Sequence, residues 1–382
     1  MIRDNFLPLS RPSVDEDGIA AVAEVLRSGW WTTGPVVDRF ERMVADYLRH
    51  DGNEIHSVAL NSCTAGLHLA LLALGIGKGD EVIVPTWTFA ATAQIVEWTG
   101  ATLVLCDIEE DSLNIDIQKA ERLINSRTKA IIPVHMAGYP CDMDGLKKIG
   151  ADRGIKIVED AAHAIGTQYR GTKIGNFSDA TVFSFYATKN LATGEGGMVV
   201  SSDEELIGKI RKLSYFGIYK EAFNRYGKTG KWFYDIEELG YKYNFDSIHA
   251  AIGLAQLHKI DVMNNRRKHI AKVYRNNLSS NVLFTADSEI HNHIYHLFIV
   301  RVPSSIIERD SLIDKLKQRN IGASVHFRPL HMHSYYRGRF PEDNFPVANK
   351  VFPEMLSIPM FPSMTDEDIE YVVEHFNDLV RK

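Results

Sequence analysis

Three short segments set reactive or anion-binding residues beside small ones. Asn61-Ser62-Cys63-Thr64-Ala65-Gly66 reads as a small-residue turn between a strand and an apolar helix. Backbone N–H groups at a helix start, with the Thr64 hydroxyl, make an anion cradle; an ordinary helix cap uses the same residues. In Val158-Glu159-Asp160-Ala161-Ala162-His163, Asp160 ends an apolar strand. A carboxylate there points into the crevice at the carboxyl ends of a parallel sheet, where it can hold a pyridine nitrogen protonated or simply cap the next turn. The third segment, Phe183-Ser184-Phe185-Tyr186-Ala187-Thr188-Lys189, precedes the glycine-rich Gly194-Glu195-Gly196-Gly197. A lysine desolvated beside such a turn has a lowered pKa and is nucleophilic toward an aldehyde, although a lone surface lysine is the commoner case. Ser184 offers a second hydroxyl to the same anion. Each signal alone is weak, but their order on successive strands specifies a site for pyridoxal phosphate.

The elements that must position these residues follow from apolar patterning. Short β-rich runs occur at Ser57–Leu60, Glu81–Val84, Thr102–Asp107, Ala130–His135, Lys156–Glu159, Thr181–Phe185 and Met198–Ser201. Helical periodicity fills the gaps at Ala65–Leu74, Phe89–Trp98 and Ile117–Ile124. Several runs are continuously apolar, which fits a mostly parallel sheet buried on both faces in an α/β domain with helices on both sides. Beyond residue 201 the alternation stops. Glu204–Leu213 reads as a helix, Tyr215–Leu239 as a long loop, and Phe245–Tyr274 as a long helical stretch broken near Ile260–Asp261. Strand-like Tyr295–Val302 and Ala323–Phe327, a helix at Ser311–Gln318 and a terminal helix starting at Ser363–Asp366 suggest a smaller α+β domain. The expected division is a large domain over 1–255 and a small C-terminal domain over 256–382.

Composition narrows the function classes. At 382 residues the chain exceeds the size at which one hydrophobic core stops growing. A net charge of −6 argues against a surface built for nucleic acid or acidic lipid, and Arg266–Arg267–Lys268 reads as a solvated helix face. Cys63, Cys106 and Cys141 are widely spaced and suggest neither a disulfide framework nor a metal or iron–sulfur site. No apolar run approaches the roughly 20 residues of a membrane span, and the start lacks a signal-peptide pattern, so the expected location is cytoplasmic. His331-Met332-His333 lacks acidic or Cys companions, so no metal is expected.

Longer motifs give the chain a family likeness. Glu159–Gly166 and Ser184–Gly197 resemble the corresponding segments of the DegT/DnrJ/EryC1/StrS nucleotide-sugar aminotransferases. The likeness extends through Ser28–Pro35, Gly77–Pro85, Gly240–Asn244 and Val325–His331. It is strongest toward the branch holding UDP-4-amino-4-deoxy-arabinose aminotransferase and the spore-coat polysaccharide enzymes.

The resemblance implies the type I aminotransferase fold, with a mostly parallel seven-stranded sheet. It implies a cytoplasmic homodimer with shared active sites, and exchange of an amino group from glutamate to a nucleotide-linked keto sugar, C4 being favoured. Lys189 matches the lysine that tethers the cofactor and moves a proton, and Asp160 the partner of the pyridine nitrogen. His163 matches the residue near the phenolic oxygen. Thr64, Ala65 and Ser184 match the phosphate contacts, and Phe89 the aromatic stacked on the ring, with Trp87 as neighbouring wall. Lys242 stands where many relatives have an Asn that reaches the neighbouring subunit's cofactor phosphate. Trp30, Thr33, His326, His331 and Tyr335 fall in segments expected at the substrate. Arg225, Lys228 and Lys231, in the long loop, are alternatives for contacting the diphosphate or a solvated surface. A sugar dehydratase of the same fold replaces the lysine with His or adds an iron–sulfur cluster, and a sugar-sensing regulator needs no such lysine; Lys189 argues against both.

Overall fold

The computed structural model describes residues 2–218, 234–288 and 290–381. All seven sequence runs become strands of one sheet. They are β1 (His56–Leu60), β2 (Glu81–Pro85), β3 (Thr102–Cys106), β4 (Thr128–Ile131) and β5 (Lys156–Asp160). A short hairpin, β6 (Gln168–Tyr169) and β7 (Thr172–Lys173), then intervenes before β8 (Ala180–Ser184) and β9 (Gly197–Ser201). The strand order is β1-β9-β8-β5-β4-β2-β3. Every pairing is parallel except those of β9, which runs against both β1 and β8. Reversal of β9 brings its first residue, Gly197, opposite Leu60 and Ser184. One sheet edge therefore gathers the carboxyl ends of β1, β5 and β8 with the glycine-rich entry to β9.

Side-chain alternation explains why the strands are apolar throughout. Val58, Leu60, Val82, Val84, Val158, Val182 and Val199 enter one core, with helices α3 (Cys63–Ala73), α4 (Ala90–Trp98) and α7 (Glu204–Leu213). Their neighbours Ala59, Ile83, Ile157, Phe183, Met198 and Val200 enter the opposite core. That core is roofed by α2 (Pro35–Leu48), α6 (Met143–Arg153) and α8 (Ser247–Leu257). Both faces exclude water, as a period-2 strand buried between helical layers requires. Helices α1 (Glu16–Ser28), α2 and α6 are findings of the structure. α5 (Ile117–Leu123) lies where the periodicity predicts it.

Gly253 shows how closely the helical roof packs. A Cβ there would come within 2.6 Å of the Phe40 ring, which is wholly buried. Gly253→Ala is expected to destabilise the protein by about 1–3 kcal/mol through overpacking, read as a lower midpoint in urea at unchanged slope.

The C-terminal part builds a third core from α9 (Ile260–Asn277), α10 (Arg309–Gln318) and α12 (Asp366–Val380) around a three-stranded antiparallel sheet, while the short α11 (Pro346–Val351) packs into the first core. Its strands are β10 (Leu283–Phe284), β12 (Phe298–Arg301) and β13 (Met355–Ile358), while β11 (His291–Asn292) joins the β6–β7 hairpin. Several expectations shift here. The long helical stretch breaks at His258–Lys259, where Lys259 leaves helical geometry and its ammonium pairs with Asp15 and Asp17. Only Phe298–Arg301 of Tyr295–Val302 is strand, because Tyr295 adopts a positive φ of 49°. Ala323–Phe327 contributes a single bridge, Ser324 to Ser357, rather than a strand. The terminal helix starts two residues later than Ser363–Asp366: Thr365 and Asp368 form a reciprocal capping box, their side chains accepting each other's N–H at 3.1 and 3.0 Å.

Candidate active site

A cavity of about 450 Å³ opens at the sheet edge where β1, β5, β8 and the start of β9 converge. Its wall includes Ser62, Thr64, Phe89, Asp160, His163, Ser184, Lys189 and His326, so most of the residues expected from the sequence meet in one place. Ser62 caps α3, its hydroxyl accepting the Ala65 N–H at 3.1 Å. That bond occupies the Ala65 amide, and Ala65 does not line the cavity. Gly197 permits the convergence. A Cβ on it would sit 2.4 Å from the Cys63 amide and 2.5 Å from the Ser62 carbonyl carbon, so β9 and the start of α3 can close only around glycine. Gly197→Ala is accordingly expected to weaken cofactor retention by at least tenfold, measured by equilibrium dialysis, because the clash is with backbone that has no room to give.

Asp160 closes the far wall. Only 6% exposed, its carboxylate accepts Thr92 Oγ1 at 2.7 Å and the Ala162 N–H at 3.1 Å. Thr92 is in turn 2.8 Å from Thr88 Oγ1, so a hydroxyl pair from the start of α4 and the connection before it orients the carboxylate. Burial raises the Asp160 pKa even though both hydrogen bonds and the Lys189 charge oppose the rise. An anion held this way, without a directly bonded cation, favours an incoming protonated ring nitrogen. Behind it, His135 takes an N–H from Cys141 at Nδ1 and therefore donates from Nε2 to Glu159, at 2.7 Å. Glu159 also accepts Ser178 and Thr181, which completes a buried support beneath Asp160. Thr88, Thr92 and Glu159 were missed as supporting groups; Thr92, three residues into a helix after the strand end at Pro85, carried no local signal.

Lys189 is half-buried, its backbone N–H held by the Tyr186 carbonyl at 2.8 Å. Desolvation pushes its ammonium pKa down to about 8, with Cys63 and Asp160 opposing the shift. Cofactor capture requires the free amine. The rate of reconstitution of cofactor-free protein is therefore expected to rise with pH and level off above about 8, rather than near the ordinary lysine value. Stopped-flow absorbance reads this directly. A profile still rising steeply at pH 10 would contradict the desolvated amine.

Three histidines surround the amine, each kept neutral chiefly by burial with the Lys189 charge adding to the effect. His163 and His296 lie well below the usual range, and His326 is pushed down to about 4. The His163 ring lies 4.3 Å from that of His296, and its Nδ1 is buried with no protein partner. Phe89, 61% exposed, packs its ring 5.6 Å from that of Phe327. Trp87 is wholly buried beneath this wall and donates to the His326 carbonyl at 3.1 Å. Cys63 lines the cavity, but burial raises its thiol pKa well above the usual value, which leaves it inert.

Other expected substrate or cofactor residues are not brought to this cavity. His331 is fully buried, with Thr86 Oγ1 at 2.7 Å from Nδ1, Asn349 Oδ1 at 2.9 Å from Nε2, and Phe345 stacked on its ring. Both nitrogens are satisfied, so it is a core histidine within this chain. Tyr335 is 64% exposed and packs on Tyr336 and Arg339. Trp30, Thr33 and Lys242 form a separate cluster. Trp30 Nε1 donates to the Thr33 carbonyl at 2.9 Å, while Asn244 Nδ2 donates to Thr33 Oγ1 at 2.8 Å. Lys242 donates to Asn244 Oδ1 at 2.6 Å and lies over the Tyr215 ring. Arg225, Lys228 and Lys231 lie outside the described residues. Among the described residues no helix is long and apolar enough to cross a membrane, and no group of three or more metal-ligating side chains occurs.

Comparison with known proteins decides the class. The model of the DegT/DnrJ/EryC1/StrS aminotransferase family matches residues 12–377. The chain belongs to that family. The spore coat polysaccharide biosynthesis protein SpsC of Bacillus subtilis is 45% identical over 386 residues, covering 99% of this chain and 98% of its own. Among solved structures, Spr1654 of Streptococcus pneumoniae in its PMP-form aligns with a TM-score of 0.92 at 35% identity, covering 98% of this chain and 99% of that one. The sugar aminotransferase CalS13 of Micromonospora echinospora aligns at 0.87 and 30% identity, over 97% and 99%. The protein is a pyridoxal phosphate-dependent aminotransferase with the fold of these enzymes.

The cavity's donor set fits that cofactor. It provides an amine for the aldehyde, a buried carboxylate for the ring nitrogen, hydroxyls at the α3 entry for the phosphate, and an imidazole whose Nδ1 no protein group occupies.

Proposed function

We propose that this aminotransferase moves an amino group from glutamate onto a nucleotide-linked 4-keto sugar, in the biosynthesis of a cell-surface polysaccharide or related glycan. The observation that carries the reading is the gathering of Lys189, Asp160, Ser62, Thr64 and Ser184 around one cavity, in a chain nearly half identical to a spore-coat polysaccharide protein.

Bound pyridoxal phosphate supplies a reactive aldehyde and an electron-accepting ring. Everything else falls to the protein. The desolvated Lys189 amine would hold the cofactor through its aldehyde and, when free, would take a proton at Nζ from the donor's α-carbon and deliver it to the former aldehyde carbon. Asp160, oriented by Thr92 and the Ala162 N–H, keeps a proton on the ring nitrogen throughout. Thr64 and Ser184 hydroxyls anchor the phosphate, Phe89 covers the ring face, and neutral His163 offers a nitrogen toward the phenolic oxygen. His326, neutral and 3.0 Å from Ser357 Oγ through Nδ1, faces the substrate side.

The Trp30–Thr33–Asn244–Lys242 cluster is assigned to a homodimer interface, where Lys242 serves the neighbouring subunit's cofactor phosphate and Trp30 and Thr33 its substrate. None of these four residues lines this chain's own cavity, which supports that reading. So does the exposure of Trp30, Trp31 and Leu239 beside it. The proposed division after residue 255 falls within the last turn of α8; α8 sits on α1 and α2 whereas α9 sits on α12, which supports a boundary in the short stretch between the end of α8 and the start of α9.

Steady-state assays with glutamate against UDP-, dTDP- and GDP-linked 4-keto and 3-keto sugars test the assignment. Turnover of a 4-keto sugar at least tenfold faster than its 3-keto isomer is expected. Preference for the 3-keto isomer, or turnover of no sugar nucleotide, would overturn it.

A further inference from the structure

His296 enters neither the residue motifs nor the family resemblance, yet it lines the cavity beside Lys189 and His163. A chain of hydrogen bonds sets its tautomer. The Ile165 carbonyl, which can only accept, takes Asn264 Nδ2 at 3.2 Å. Asn264 therefore presents Oδ1 to Asn190 Nδ2, at 2.7 Å. Asn190 is left with Oδ1 facing His296 Nδ1 at 3.0 Å, so Nδ1 carries the hydrogen. The relay is buried along its length, with Asn190 at 4% exposure, Asn264 at 3% and His296 at 5%. Since the ring is neutral, Nε2 keeps its lone pair and has no hydrogen-bond partner among the described residues.

We propose that His296 is a specificity-determining residue whose Nε2 accepts a hydrogen bond from a hydroxyl of the keto sugar. This rests on the sugar-aminotransferase reading above. An acceptor with a fixed lone pair discriminates between the two substrates of an aminotransferase. It repels a carboxylate, which has only acceptors to offer, and welcomes an O–H donor. The relay is anchored in the protein interior through Asn190, the neighbour of Lys189, so the acceptor is held in register with the amine. The position is thus built for the sugar half of the reaction and offers glutamate's carboxylates no contact.

Two isosteric variants separate this role from a merely structural one. In His296→Gln the amide oxygen can occupy the position of Nε2 while the bond to Asn190 is lost. In His296→Asn the amide can still donate to Asn190 while the cavity acceptor is lost. The probes are UDP- and dTDP-linked 4-keto-6-deoxyglucose for the sugar half, and single-turnover reaction with glutamate for the other half. His296→Asn is expected to raise KM for the accepted sugar about tenfold, the cost of one unpaired hydroxyl, with the glutamate half within twofold of the parent. His296→Gln is expected to stay within about threefold in both halves. The reverse pattern, equal losses in both halves, or a His296→Asn variant indistinguishable from the parent would overturn the proposal. A parent enzyme that reacts with glutamate but with neither sugar would instead overturn the substrate reading beneath it, and the proposal with it.

Discussion

Replacement of Lys189 by alanine is expected to lower kcat by at least about 10⁴-fold and to abolish the visible absorption of the lysine-bound cofactor. Two roles vanish with one amine. The tether is gone, so cofactor is retained through the non-covalent contacts alone, at the Ser62–Thr64–Ser184 end, Phe89, His163, Asp160 and the Lys242 proposed to reach across the dimer. The proton carrier is gone as well, and among the described residues lining the cavity no basic group of comparable character replaces it. His163, His296 and His326 are held neutral by burial, but their proton affinities are depressed far below that of an amine at about 8. Measured by single-turnover absorbance with glutamate and by 2-oxoglutarate release, the variant should be silent on the timescale of the parent. Lys189→Arg should be equally silent, because a guanidinium supplies charge without a free amine at any accessible pH.

Asp160→Asn is expected to lower kcat by about 10²–10⁴-fold while leaving Lys189 able to capture cofactor. The substitution is nearly isosteric: the amide oxygen can keep the Ala162 N–H, and the amide nitrogen can donate to Thr92 Oγ1 while Thr92 donates to Thr88, so the fold should be retained. What is lost is the negative charge that holds a proton on the ring nitrogen. The sign of the pH dependence follows from burial. The Asp160 carboxyl titrates above its ordinary value of 3.8, so the parent's activity should fall on the acid side at a higher pH than an exposed carboxylate would give. In Asp160→Asn that acid limb should disappear. A variant with unaltered kcat would remove Asp160 from the mechanism. An unchanged acid limb would assign that limb to another group.

The sequence carried much of this site because its chemistry lies at strand ends. Asp160 and Ser184 end strands β5 and β8, Thr64 lies in the first turn of α3 just after β1 and Lys189 in the loop just after β8, and all seven runs became strands within a residue or a few of their expected limits. The sheet topology brings those ends together, and the reversed β9 explains why glycine is needed opposite Ser62 and Cys63. What the sequence did not disclose depends on contacts across long separations. Thr92 meets Asp160 across 68 residues, and Asn190 meets His296 across 106. His331 looked like a pocket residue because it sits in a motif with His326. Only the fold shows that Thr86 and Asn349 bind both of its nitrogens. Ala65 likewise matched a phosphate position, yet its amide is committed to the Ser62 cap. The strand assignment at 295–302 was too long because apolar β-branched residues mark burial, and burial there is served by a bend on the third core as well as by a strand; 323–327 is only partly buried and pairs through Ser324 alone.

The most direct measurement is spectrophotometric titration of purified, cofactor-loaded protein with glutamate, followed by quantification of 2-oxoglutarate. Loss of the visible band with release of one 2-oxoglutarate per active site, and return of the band on adding a 4-keto sugar nucleotide, is the predicted result. A spectrum unchanged by glutamate, with Lys189 intact and cofactor bound, would contradict the account.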